Sequence, residues 1–384
     1  MKKLIFFIVF VALAFILIAQ EIQHETIAIN IEVPVRVFTK GEFVEELTIK
    51  DFEVYEDGVL QEVLALYLVK KTVIEREETE IDTKQARKIF IPETSRIFVL
   101  MFEMMDYFPK IVETLDYFFE NVISSGDSLF VVTPLKTYSL KKELLDRTPR
   151  EVIVDQLNGK LRKDIKSAAR EFKSMIKDLE EWRYAAQEDR SYSIIMAGKL
   201  IVEQIREYRF FDEGKLMGFR DRLKDIEGQK YVFLFYQQQI IPIPPEFAGD
   251  ELDPDQIKRV SFNVKKIKQS FADSSIFINF IFLTKTEQHS MDMFRMDATD
   301  LVLQNISAET FGAFHEMAEA TGGTTDSSAN MASSFQRAVI SSENYYLLYY
   351  APKNYKADGK FKNIKVKVKG QNYRVTHRAG YIAD

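Results

Sequence analysis

The chain has 384 residues, 46% hydrophobic and 29% charged, the balance of a folded protein with room for two or three domains and not of a disordered one. Its net charge is only −6 and its Lys and Arg residues are scattered, which argues against nucleic acid as the main partner, since phosphate binding needs a concentrated basic footprint. With no Cys, disulfides, thiolate nucleophiles and thiolate metal ligands are excluded.

Lys2 and Lys3 precede a wholly apolar run from Leu4 to Ala19, and polar Gln20 and Glu21 follow. This is the shape of a secretory signal peptide, with cleavage expected after Ala19. The run is shorter than the roughly 20 apolar residues that span a bilayer, so an uncleaved membrane anchor is the lesser alternative. The expected location is therefore periplasmic or secreted, with membrane contact only if the segment stays uncleaved.

Ile27, Ile29, Ile31, Val33, Val35 and Val37 alternate with other residues, the period of a half-buried strand, and Asp57-Gly58 predicts a hairpin turn. Residues 75–88 are charged and nearly devoid of apolar side chains, which reads as a linker. Continuous apolar runs then appear at Ile97–Phe102, Leu129–Val132, Tyr231–Tyr236 and Ile276–Leu283, as expected of strands buried on both faces of a parallel sheet. A long polar stretch between Thr148 and Gly228 reads as a helical excursion from that sheet. A further helix is expected from an Asp253 cap and Pro254, with Ile257, Val260, Val264, Ile267 and Phe271 along one face. Tyr345–Tyr350 returns to β-structure. Ile364, Val366 and Val368 alternate with Lys365, Lys367 and Lys369, whose better reading is a solvated strand face that discourages edge-to-edge pairing.

Several segments look like one family. Leu47 through Gly58 with Gln61, Ala318-Glu319-Ala320-Thr321-Gly322-Gly323, Tyr346 through Pro352, Asp358 through Val366, and Arg378-Ala379-Gly380-Tyr381 together resemble the exported bacterial proteins with a VWFA-related domain. The resemblance implies an α/β fold: a doubly wound, mostly parallel sheet of von Willebrand factor A-type, Rossmann-like architecture, plus a small β-sandwich-like domain formed by the N- and C-terminal segments. The implied plan is a signal peptide over 1–19, an N-terminal β segment over 20–75 and a linker over 76–94. An A-type domain follows over 95–342, with a helical insertion at about 148–228, and a C-terminal β segment over 343–384 pairs with the N-terminal one.

The resemblance also implies a divalent-cation site at the carboxyl ends of the strands, where open α/β sheets bind ligands. Its usual pattern is Asp-x-Ser-x-Ser after the first strand, a Thr from a later loop and an Asp after the fourth strand. Here Glu103 stands at the Asp position, Met105 and Tyr107 replace the serines, and Gln237-Gln238-Gln239 occupies the place of the later Asp. No counterpart of the Thr is evident. A thioether is a poor substitute for a hard oxygen ligand, so the adhesion motif reads as degenerate and metal-free, with no cofactor. Glu103, Asp106 and Gln237 are then candidate binding residues. Asp250, Glu251 and Asp253 join them, because the Pro-rich, acidic stretch 241–255 leaves the carboxyl end of the 231–236 strand and reads as either a plain solvated loop or a stiffened recognition rim.

No other motif carries chemistry. His315-Glu316 is followed three residues on by Glu319 and not by the His of a zinc protease, so it reads as a surface pair. Nucleophile elbows and phosphate-binding loops are lacking. The sequence therefore predicts a non-enzymatic, exported protein-binding protein of adhesion or scaffold type. Metal-assisted adhesion through Glu103 and Asp106, an extracytoplasmic hydrolase and a purely structural envelope component are the alternatives.

Overall fold

A computed structural model describes residues 29–79, 92–208, 213–238, 240–243, 262–284, 302–305, 307–370 and 372–384. The signal-like segment lies outside these residues, as do Asp253, Pro254, Ile257 and Val260 of the helix expected from Asp253. Among the described residues no helix is long and apolar enough to cross a membrane.

The strands, in chain order, are β1 (Ile31–Thr39), β2 (Glu42–Phe43), β3 (Phe52–Glu56), β4 (Val59–Gln61), β5 (Val63–Lys70), β6 (Val73–Thr79), β7 (Arg96–Glu103), β8 (Ser128–Val132), β9 (Thr137–Leu140), β10 (Gln229–Gln237), β11 (Ile240–Ile243), β12 (Ile276–Leu283), β13 (Val302–Asn305), β14 (Thr325–Ser328), β15 (Asn344–Tyr350), β16 (Phe361–Val368), β17 (Arg374–His377) and β18 (Gly380–Ile382). The helices are α1 (Lys110–Tyr117), α2 (Lys142–Arg147), α3 (Arg150–Glu188), α4 (Tyr192–Glu207), α5 (Glu213–Lys224), α6 (Val264–Asp273), α7 (Ala308–Thr321) and α8 (Met331–Val339).

The expected fold class, a doubly wound parallel sheet with a small β appendage, is corrected by this topology. Among the described residues, three of the four sheets are wholly antiparallel: one in the order β17-β1-β15-β5-β6 with β2 beside β1, one in the order β18-β16-β3-β4, and the pair β11-β13. The helix-flanked sheet, in the order β14-β12-β10-β7-β8-β9, is mixed, because β9 returns antiparallel to β8. The four apolar runs read as parallel strands do pair in parallel, in the order β12-β10-β7-β8. They make up only part of one mixed sheet, and β5 and β15 show that runs buried on both faces also occur in an antiparallel sheet. One face of that sheet packs Ala65, Tyr67, Val69, Tyr345, Leu347 and Tyr349. The other joins Val33, Val35, Leu66, Leu348 and Tyr350 in a core shared with Val54, Ile364 and Val366 of the four-stranded sheet.

Chain ends and middle are interlocked. β15 lies between β1 and β5, so residues more than 270 positions apart are directly hydrogen-bonded neighbours, as in the pairs Val33↔Leu348 and Leu66↔Leu348. Edge strand β6 takes up Glu75–Thr79, which the charge pattern assigned to a linker; charges on an edge strand discourage further pairing. β16 pairs with β18 over Phe361–Asn363 and with β3 over Ile364–Val368, and Lys365 and Lys367 line its exposed face. Asp57 and Gly58 both have positive φ (46° and 83°), which makes the β3–β4 hairpin turn.

In the mixed sheet the pleat separates two cores. Phe98, Leu100, Phe102, Phe233 and Phe235 face α1, α3 and α8, with Phe335 of α8 5.0 Å from the Phe233 ring. Val99, Met101, Val232 and Leu234 face α5, α6 and α7. α6 starts at Val264 because Asn263 is extended and its side chain accepts a hydrogen bond from the Lys266 backbone. α3 has 39 residues, and α4 folds back on it around Trp182, whose indole N–H donates to the Ile194 carbonyl at 2.6 Å.

The antiparallel sheets are tied to the mixed sheet by buried polar side chains. Arg36, fully buried on β1, lies 4.1 Å over the Phe277 ring and donates to the Ser341 carbonyl and to the Tyr231 hydroxyl (3.2 Å). Arg378 donates to the backbone carbonyls of Glu32 (2.6 Å) and Asp273 (3.2 Å). Beside it, His377 receives the Val366 N–H on Nε2 and has Nδ1 2.8 Å from the Arg378 carbonyl, which places its proton on Nδ1; burial holds its pKa below the ordinary value.

Candidate functional site

The carboxyl ends of β7 and β10 lie side by side, with Tyr236 in register with Glu103. The chain turns away after Glu103, and the next four residues each take a different environment. Met104 is fully buried in the core under α1 and α8. Met105 is turned the other way, into the α3–α4 hairpin, where it packs with Phe172, Ile176, Leu179, Trp182 and Val202. Asp106 stays at the sheet end. Tyr107 leans on the sheet core and donates its hydroxyl to the Asn158 side chain of α3, with the Arg162 guanidinium 5.9 Å from its ring centre.

Gln237 closes the space between these strands. Its side chain is 1% exposed, and its carbonyl oxygen accepts from two consecutive backbone amides, Met105 (2.9 Å) and Asp106 (3.0 Å). Its amide nitrogen donates to Asp106 Oδ2 at 3.3 Å. A buried primary amide satisfied on both its donor and its acceptor side rigidifies its surroundings, and removing it would orphan two backbone donors. Of the residues singled out from sequence, the structure thus joins Asp106 directly to Gln237. Glu103 ends the neighbouring strand. Asp250, Glu251 and Asp253 lie outside the described residues.

A second polar node at the same end of the sheet had no sequence signal. Thr133, just after β8, is 4% exposed; its hydroxyl accepts from the Lys136 amide (2.9 Å) and lies 3.0 Å from Asp164 Oδ2. Asp164, also buried, accepts from the Tyr138 hydroxyl at 2.8 Å. Burial and then the hydrogen bond to Asp164 push the Tyr138 pKa up to about 12. Thr133 and Asp164 are 31 positions apart, on a loop and a helix, and no local pattern announces such a pairing.

The donor set does not suit a hard divalent cation. Met105 and Tyr107 are committed to packing, the Asp106 carboxylate is engaged by an amide, and a neutral carboxamide fills the place of the later Asp. Among the described residues no three His, Cys, Asp or Glu side chains gather as metal ligands.

No protein-family model matches the chain, and no curated protein matches it. Among solved structures it is similar to the human COPII-coat protein Sec24c, at 8% identity and a TM-score of 0.33. That match covers 85% of this chain, which spans 46% of the Sec24c chain. A likeness this remote carries no inference about function.

Proposed function

We propose that this is an exported, non-catalytic binding protein that recognises a protein partner at the carboxyl end of the mixed sheet without a metal ion. The observation that carries the reading is Gln237: its amide already satisfies the Met105 and Asp106 backbone donors and the Asp106 carboxylate. A surface pre-organised in this way needs no cation to set its shape, and pre-organisation lowers the ordering cost of association. The Lys2-Lys3 and apolar N-terminal segment supports export. Asp250, Glu251 and Asp253 belong to the proposed recognition rim by their place in the sequence.

Affinity capture from the native envelope tests this reading. A specific partner should be retained equally in EDTA and in millimolar Mg²⁺. Exchanging Asp250, Glu251 and Asp253 for Lys should weaken its capture about tenfold, the scale of an electrostatic rim contribution. Capture that requires Mg²⁺, or that is indifferent to the triple exchange, contradicts the proposal.

A further inference from the structure

Between Gly159 and Lys177, α3 carries seven Lys and Arg residues against two carboxylates, in a chain whose net charge is −6. In the sequence these cations are interspersed with apolar and small residues; the helix gathers five of them. Lys163, Lys166, Arg170, Lys173 and Lys177 recur at alternating intervals of three and four, so at about 100° and about 1.5 Å per residue they share one face over about 21 Å of helix axis. Leu161, Ile165, Ala168, Phe172, Ile176 and Leu179 form the opposite, buried face. All five cations are exposed, as are Lys160 and Arg162 beside them.

Neither carboxylate shares this face. Asp164 is buried against Thr133 and Tyr138, and Glu171 accepts from the Tyr208 hydroxyl at 3.0 Å. Lys163, Lys166 and Lys173 have no ion-pair partner among the described residues. Arg170 donates to the neutral Ser167 hydroxyl at 2.9 Å, and Lys177 meets Glu181 at 3.1 Å in a pair so exposed that water screens it. Like charges three and four positions apart repel one another on a helix, and a face that only has to stay solvated mixes both signs, as α3 itself does from Lys177 to Glu181. Between Gly159 and Lys177 the exposed side chains of α3 include no large apolar one. Tyr184, 64% exposed, lies two turns beyond Lys177 on the same face.

We propose that this face of α3 docks on an anionic phospholipid surface. The centre of a protein–protein interface is rich in apolar anchors and poor in lysine, and this face is the reverse. Lys, four of the five cations, is a flexible point charge that suits a diffuse layer of phosphate headgroups better than a bidentate partner. Tyr184 adds an amphipathic ring of the kind that settles at headgroup depth. Because the chain as a whole is acidic, attraction through this face also orients the protein. The choice of lipid over nucleic-acid phosphate rests on the export reading. Export is read from the mass of the mature chain and docking from vesicle binding, so the two fail separately.

Flotation of the purified full chain with phosphatidylcholine vesicles, with and without about 30 mol% phosphatidylglycerol, tests the assignment. At about 0.1 M salt the partition onto the anionic vesicles is expected to be at least about a hundredfold higher, and about 0.5 M salt should remove most of the difference. Combining Lys163→Gln, Lys166→Gln and Lys173→Gln should lower the anionic partition at least about tenfold. The same variant should leave the neutral partition and the melting temperature unchanged, since Gln is as good a helix former as Lys. Lys365→Gln with Lys367→Gln, on the exposed face of β16, should have no effect on either partition. Equal partition onto the two vesicles, indifference to the α3 exchange, or an equal loss in the β16 variant overturns the docking face. Binding to duplex DNA at the same phosphate concentration that is tighter than to the anionic vesicles overturns the lipid in favour of nucleic acid.

Discussion

Gly323→Ala is expected to destabilise the fold by about 3–5 kcal/mol, more than any ordinary surface change. The reason is steric. A Cβ at position 323 would overlap the Ile278 carbonyl oxygen and lie 2.6 Å from its carbon, and both are backbone atoms of the mixed sheet that no rotamer change can move. The segment is pinned on either side, by the Thr321 hydroxyl accepting from the Ile278 amide (3.0 Å) and by the Thr324 carbonyl accepting from the Phe280 amide (2.7 Å). Gly322 is constrained differently: its φ is +78°, and a Cβ would lie 2.7 Å from the His377 carbonyl carbon. The glycine pair therefore sits where α7 meets β12 on one side and the β17 end on the other. Gly359, with φ of +65° and open space around it, isolates the backbone component and should lose only about 1–2 kcal/mol on change to Ala. Urea midpoints should fall in the order Gly359→Ala, Gly322→Ala, Gly323→Ala; a mild Gly323 variant would contradict the close approach.

Asp127→Ala should be comparably damaging, by about 3–5 kcal/mol, because it strips the partner from a charge that water cannot reach. Arg96 and Asp127 are both fully buried, joined through Nε–Oδ1 at 3.1 Å and Nη2–Oδ2 at 2.6 Å. Arg96 also donates to the Val122 carbonyl at 3.0 Å, and Asp127 accepts from the Ser124 amide at 2.7 Å, so the pair locks the start of β7 to the loop before β8. Against the roughly 5–15 kcal/mol of a whole domain, losing one partner is a large fraction. Removing both charges with Arg96→Met and Asp127→Leu should be less harmful than Asp127→Ala alone, since no uncompensated charge remains. Circular dichroism during urea unfolding checks the order; equal midpoints for wild type and Asp127→Ala would show that the pair contributes little.

Burial was legible in the sequence where it was expressed as apolar runs. The strands at 97–102, 129–132, 231–236 and 276–283 all exist, whereas in β1 Pro34, Arg36 and Phe38 are buried along with Val33, Val35 and Val37, so it is not the half-buried strand that its alternation predicts. Partnership was not legible in the same way. Tyr345–Tyr350 reads from its residues only as β-structure, whereas its place between β1 and β5, antiparallel to both, is set by tertiary packing. The chemistry of the strand ends was half readable. Met105 and Gln237 stand out against an oxygen-ligand pattern, but nothing in the spacing tells that the Gln237 amide reaches across to Asp106. Thr133 and Asp164 left no trace at all, since their meeting depends on how α3 docks. Gly322 ends α7 in the left-handed conformation, but the tight fit of Gly322-Gly323 against two other backbones is a tertiary property that no local pattern announces.

Thermal melting of the unmodified protein with and without millimolar Mg²⁺, Mn²⁺ or Ca²⁺ tests the metal-independent reading of the strand ends most directly. A cation held only by the native state at a hundredfold excess over its Kd would add about 2.7 kcal/mol and raise the melting temperature by roughly 5–10 °C. With Met105 in the α3–α4 core and Gln237 bound to Asp106, the expected shift is below about 1 °C for each ion. A saturable rise of several degrees that EDTA reverses would contradict the account.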